Sequence, residues 1–144
     1  MYLVDTDVIS AGSPTKRRNA ALLDWMDANS GRLYFSAITV AEVEDGIAKA
    51  RREGAGRNTS LLSEWLNAVL HLYADRVLPL DVAAARIAGR LSDLARGKGY
   101  APGFPDVAIA GIAQAHGLTV LTRNLKHFAP FGIAMHDPFR SLPA

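Results

Sequence analysis

A chain of 144 residues can bury a core without disulfides or a structural metal, and its 49% apolar and 21% charged residues are those of an ordinary folded protein. The absence of cysteine excludes disulfides, thiolate metal sites and a cysteine nucleophile. A net charge of +2 is too small to argue for nucleic acid by itself, and no apolar run reaches the ~18 residues that a membrane span needs. Because a candidate strand starts at Tyr2, no room is left for a signal peptide. A cytoplasmic protein with no membrane partner is the expectation.

In chain order, "YLVD" reads as a short buried strand followed by the polar turn "AGSPTKRR". "NAALLDWMDANSG" places Leu22, Leu23, Trp25 and Met26 at helical spacing, and Gly31 closes the helix. "RLYFS" is a second strand. "ITVAEVEDGIAKARREG" is a helix with Val40, Val43 and Ile47 along one stripe. "GAGRNTS" reads as a loop whose Ser60 caps the apolar helix "LLSEWLNAVLHLYA". "RVLPL" is a third strand, and Asp81 is placed to cap "VAAARIAGRLSDLARGKG". After the loop "GYAPGFP" come the alanine-rich helix "DVAIAGIAQAHG", a fourth strand "LTVLT" and a fifth, "GIAMH". Short strands separated by helices imply crossover connections. The expected fold is therefore α/β, a single domain over 1–144, three-layer α/β/α with a mostly parallel sheet of about five strands.

In open parallel sheets, ligands bind beyond the carboxyl ends of the strands. Asp5 ends the first strand and is expected on that edge, open to a crevice. Glu42 lies early in the helix after the second strand, Asp106 opens the helix after "PGFP", and "TRN" leaves the fourth strand. Each acid has an ordinary reading. Thr39 and Glu42 have capping-box spacing, Asp106 after Pro105 suits an N-cap, and Asp5 and Asp7 can bond their own turn. Together, however, they share one edge. Clustered carboxylates raise one another's pKa unless a cation neutralises them, and oxygen donors without cysteine suit Mg2+ or Mn2+. Helix N-termini under Glu42 and Asp106 would favour their ionised, metal-binding forms. Such a site can hydrolyse a phosphodiester with no protein nucleophile, and the chain has no Gly-x-Ser-x-Gly elbow and no Gly-rich phosphate loop.

The blocks "LVDTDVIS", "SAITVAEVEDGI", "PDVAIAGIA" and "LTVLTRNLKHF" resemble, in order and spacing, those of PIN-domain ribonucleases, above all the VapC and FitB-like toxins of bacterial toxin–antitoxin pairs. The resemblance implies a metal-dependent endoribonuclease that acts on RNA. It also implies a homodimer, and a cognate antitoxin whose tail blocks the site. By position, Asp5, Glu42 and Asp106 match the metal-binding carboxylates, Thr6 and Asp7 the turn after the first, and Thr122 a hydroxyl beside the site. The chain departs from the pattern at Asn124, where a fourth acid is usual. An amide oxygen can ligate but brings no charge, which argues against a tightly held second metal. Asp7 is open to two readings, organiser of the turn or replacement for that charge.

Lys16, Arg17 and Arg18 after the first strand, with Arg123, Lys126 and His127 after the fourth, are expected to rim the crevice, where cations could hold RNA phosphates. An ordinary solvated face is the alternative for the first group. Two other functions compete with the nuclease. "DTDVI" approaches the first motif of haloacid dehalogenase-like phosphatases, with Asp5 and Asp7 as the working pair. Asn124 could instead mark a catalytically weak PIN-like domain that only binds protein.

Overall fold

The computed structural model describes residues 1–144. Five short strands lie side by side, all parallel: β1 (Tyr2–Val4), β2 (Leu33–Ser36), β3 (Val77–Leu78), β4 (Thr119–Leu121) and β5 (Met135–His136). Their spatial order is β3-β2-β1-β4-β5. The chain thus builds outward from β1 in one direction and then returns to extend the sheet from β1 in the other. The reversal falls between β1 and β4, the kind of switch point at which such sheets open a crevice. Strand count and direction agree with the sequence expectation.

Seven helices accompany the sheet: α1 (Thr6–Ser10), α2 (Ala20–Ala28), α3 (Ala37–Arg52), α4 (Gly56–Leu72), α5 (Val82–Gly97), α6 (Phe104–Ala115) and α7 (Leu125–Phe128). Alternation along the strands divides the interior in two. Leu3 and Val120 pack with α5, α6, Phe128 and Phe131. Val4 and Leu121 turn the other way, onto Val8, Ile9, Leu22, Met26, Val43, Ile47 and Leu66 of α1 to α4. Buried on both sides, the strands read as unbroken apolar runs.

Helix α6 is buried from Val107 through Ala113, which explains its alanine-rich sequence. A Cβ built on Gly111 would stand 2.7 Å from the Ala84 carbonyl oxygen and 2.7 Å from the Ala88 Cβ. Small residues on both helices let α5 and α6 approach this closely. This contact fixes α6 against α5.

Local starts differ from the sequence reading in two places. A helix, α1, follows Asp5 directly, where only a turn was expected, because Val8 and Ile9 are buried. Helix α4 begins at Gly56, so Ser60 lies inside it and does not cap it. The Thr59 hydroxyl turns back to the Gly56 carbonyl at 2.7 Å, so this polar stretch can wind as helix. Asp81 does cap α5, accepting from the Ala84 amide at 2.9 Å.

Candidate active site

The end of β1 delivers Asp5 to the switch point, and the end of β4 delivers Thr122 beside it. The Asp5 amide donates to the Leu121 carbonyl at 2.9 Å, continuing the ladder one residue past both strands. One Asp5 carboxylate oxygen then accepts from the Thr6 amide and the other from the Thr122 hydroxyl, each at 2.8 Å. This corrects an expectation. Asp5 reaches the crevice but is itself buried, with 6% of its surface exposed.

Glu42 comes from α3, and its expected capping box is not formed. Ser36 caps the helix, accepting from the Thr39 amide at 3.0 Å. Glu42 sits beyond the first turn, past the reach of the helix dipole, and is exposed. Its carboxylate instead accepts the Thr6 hydroxyl at 2.6 Å. Thr6 therefore links the first two acids, its amide on Asp5 and its hydroxyl on Glu42.

Asp106 is the third residue of α6 and not its cap, which is Gly103. It keeps the favourable first-turn position, and its carboxylate stands 3.3 Å from Nδ1 of His127 on α7. Asp7, in the first turn of α1, accepts the Arg123 amide through one oxygen at 2.9 Å. Its other oxygen is buried with no partner. The backbone N–H of Asn124 donates to the Thr122 hydroxyl at 3.0 Å.

Asp5, Asp7, Glu42, Asp106, Asn124 and His127 together line one depression of about 410 Å3, with Thr6, Ser10 and Pro105 completing its wall. No three of the acids and histidines stand close enough as placed to hold one metal ion between them; Glu42 is turned onto Thr6 and Asp106 onto His127. The electrostatics show strain. Burial, followed by the neighbouring charge of Asp7, pushes Asp5 up to about 7, against the hydrogen bonds from Thr122 and Thr6. Burial raises Asp7 as well. Asp106 is raised mainly by burial and further by Glu42 and Asp7, while His127 opposes the rise. An all-oxygen donor set, mutual repulsion and an unpartnered buried carboxylate oxygen together fit a hard divalent cation.

The basic residues divide. Lys16, Arg17, Arg18 and Arg123 line a larger groove of about 680 Å3 that shares Asp7 and Ser10 with the acidic depression. Lys126 lies on the opposite flank, in a hollow of about 240 Å3 that shares Asp106 and His127 with it. Two groups escaped the sequence reading. His127 was placed only on the rim, because its pairing with Asp106 joins α7 to α6 and leaves no local spacing. Phe139 lies under Arg123 in the larger groove, and no motif surrounds it.

The PIN domain family model matches residues 2–130. The chain belongs to the PIN-domain family. That membership removes the haloacid dehalogenase-like alternative, for which Asp7 would in any case be poorly disposed, one oxygen already taken by the Arg123 amide. Among PIN-domain relatives, the VapC ribonuclease Y4jK of Sinorhizobium fredii is 37% identical over 96% of this chain and 98% of its own length. The toxin FitB of Neisseria gonorrhoeae is 34% identical over 96% of this chain and 99% of its own. The crystal structure of FitAcB from Neisseria gonorrhoeae superposes on this PIN domain with a TM-score of 0.85 at 34% identity, covering 96% of this chain and 99% of that one.

Proposed function

We propose that this PIN-domain protein is a metal-dependent endoribonuclease acting as the toxin of a toxin–antitoxin pair. The observation that carries the reading is the acidic depression at the switch point, where Asp5, Glu42 and Asp106 meet from three separate elements. The names of full-length relatives, a ribonuclease and a toxin, support it. Asp5, Glu42 and Asp106 would hold Mg2+ or Mn2+, and Asp7 would add charge through its unpartnered oxygen. The chemistry such a cation supplies when bound is activation of water and neutralisation of charge on the leaving oxygen.

The chain's own residues prepare this site. Thr122 and Thr6 fix both oxygens of Asp5, and Thr6 holds Glu42 at a set distance from it. His127 steadies Asp106, and Asn124 offers an amide oxygen at the same wall. Lys16, Arg17, Arg18 and Arg123 on one flank, with Lys126 on the other, would hold RNA phosphates on either side of the scissile bond. A homodimer and a cognate antitoxin complete the proposal, the latter in keeping with a full-length relative named as a toxin.

Induced expression of the chain alone, with new RNA 5′ ends mapped by sequencing, tests this reading. Growth arrest with ends at a recurrent site, absent for Asp106→Asn, is the expected result. Arrest by both forms with no new ends would overturn it.

A further inference from the structure

Three arginines lie over aromatic rings in this chain, and one differs from the others. The Arg32 guanidinium, 5.2 Å from the Tyr2 ring centre, also donates to Asn29. The Arg76 guanidinium, at the same distance from Tyr73, donates to the Leu33 carbonyl. Arg123 lies closer, 3.7 Å above Phe139, and its guanidinium makes no hydrogen bond or ion pair within the protein. Its backbone amide donates to Asp7, and its charge acts on that carboxylate without a direct bond. One face of the guanidinium is thus held by a ring, while all of its donors are left for something in the groove.

Phe139 is itself held in place. Its amide donates to Asp137 at 2.9 Å, the buried Asp137 pairs with Arg140, His136 meets the Ser141 carbonyl at 2.6 Å, and Trp25 donates its indole N–H to the Pro143 carbonyl at 3.2 Å. The first three bonds are local to residues 136–141, and the Trp25 bond ties the end of the segment to α2. The segment lies beyond residue 130, where the match to the family ends.

We propose that the C-terminal segment is part of the RNA-binding surface, with Phe139 as a positioning residue that presents the Arg123 guanidinium to a phosphate of single-stranded RNA. The inference rests on the ribonuclease reading of the adjacent acidic depression and adds to it a residue outside the acidic blocks. The chemistry matches the geometry. A planar guanidinium stacked on a ring is pre-oriented, so it loses little freedom when its fork meets a phosphate. The neighbouring cations Lys16, Arg17 and Arg18 extend the same field along the groove.

The test is binding of a short fluorescein-labelled single-stranded RNA to the full chain, followed by anisotropy in EDTA across a salt series. Arg123→Ala is expected to weaken binding roughly tenfold and to lower the log–log salt slope by about 0.7. Phe139→Leu keeps apolar bulk under the guanidinium but removes the ring. It should weaken binding by several-fold, and Phe139→Tyr should restore it. Equal binding by wild type and Phe139→Leu would show that bulk alone suffices and overturn the positioning role. Equal binding by wild type and Arg123→Ala, or no binding by wild type, would overturn the proposal outright. Because EDTA prevents metal-dependent cleavage, the two readings separate: RNA that is bound as expected but never cut in Mn2+ would sink the nuclease reading and leave this one standing.

Discussion

The Thr122 hydroxyl donates to the Asp5 carboxylate at 2.8 Å across 117 residues of sequence, joining the ends of β1 and β4 at the sheet's switch point. This bond opposes the burial that holds Asp5 near neutral pH. Thr122→Val keeps the shape and removes the donor. A hydrogen bond to a charged group is worth about 1.5–3 kcal/mol, so the affinity for Mn2+ at pH 7 should fall by roughly tenfold or more. Thr122→Ser should retain most of it. Calorimetric titration of the three proteins checks the order, and Val binding as tightly as Ser would contradict it.

Asp5 also sets a pH dependence for the metal-free protein. Its folded pKa of about 7 stands above its ordinary 3.8. The folded state therefore binds more protons than the unfolded state between those values, and stability falls as pH rises. The contribution is fully present below about 3.8 and is lost as pH passes through about 7. A divalent cation reverses the trend by binding the ionised form. Thermal melts should show Mg2+ or Mn2+ raising Tm clearly at pH 8 and little at pH 5. Equal shifts at both pH values would refute this account of Asp5.

Asp7 should show opposite effects on stability and on metal binding. Its charge raises Asp5, and one of its own oxygens is buried without a partner. Asp7→Asn removes the repulsion and keeps an acceptor for the Arg123 amide. Metal-free stability at pH 8 should rise by about 1 kcal/mol, while Mn2+ affinity falls. If both fall together, Asp7 organises the turn and little else.

Gly111 tests what fixes Asp106. With Ala84 and Ala88 already in contact range of any Cβ, Gly111→Ala must separate α5 from α6. A loss of roughly 1–3 kcal/mol in urea unfolding is expected. An unchanged midpoint would show that the helices can part freely.

The layer order and strand direction were legible because buried strands and crossover helices leave strong apolar patterns. Asp5, Glu42 and Asp106 could be collected from the rule that such sheets bind ligands at their carboxyl edge. Local capping was less legible. Ser36 displaced Thr39 as the cap of α3, and α4 began four residues before Ser60, because burial of Thr59 outweighed a polar, Gly-rich composition. Two features depend wholly on tertiary contact. Thr6 bridges Asp5 to Glu42 across 36 residues, and Phe139 meets Arg123 from a segment with no motif. Neither spacing nor periodicity can report such meetings, since their partners lie on unrelated elements.

The central claim is that the acids at the switch point form a metal-dependent RNA-cleaving site. Its most direct test is incubation of a mixed RNA panel with the purified, antitoxin-free chain in Mn2+, Mg2+ or EDTA, beside Asp106→Asn. Cleavage that needs the metal and drops at least about a hundredfold in the variant is the predicted result. Equal cleavage by the two proteins, or cleavage that persists in EDTA, would contradict it.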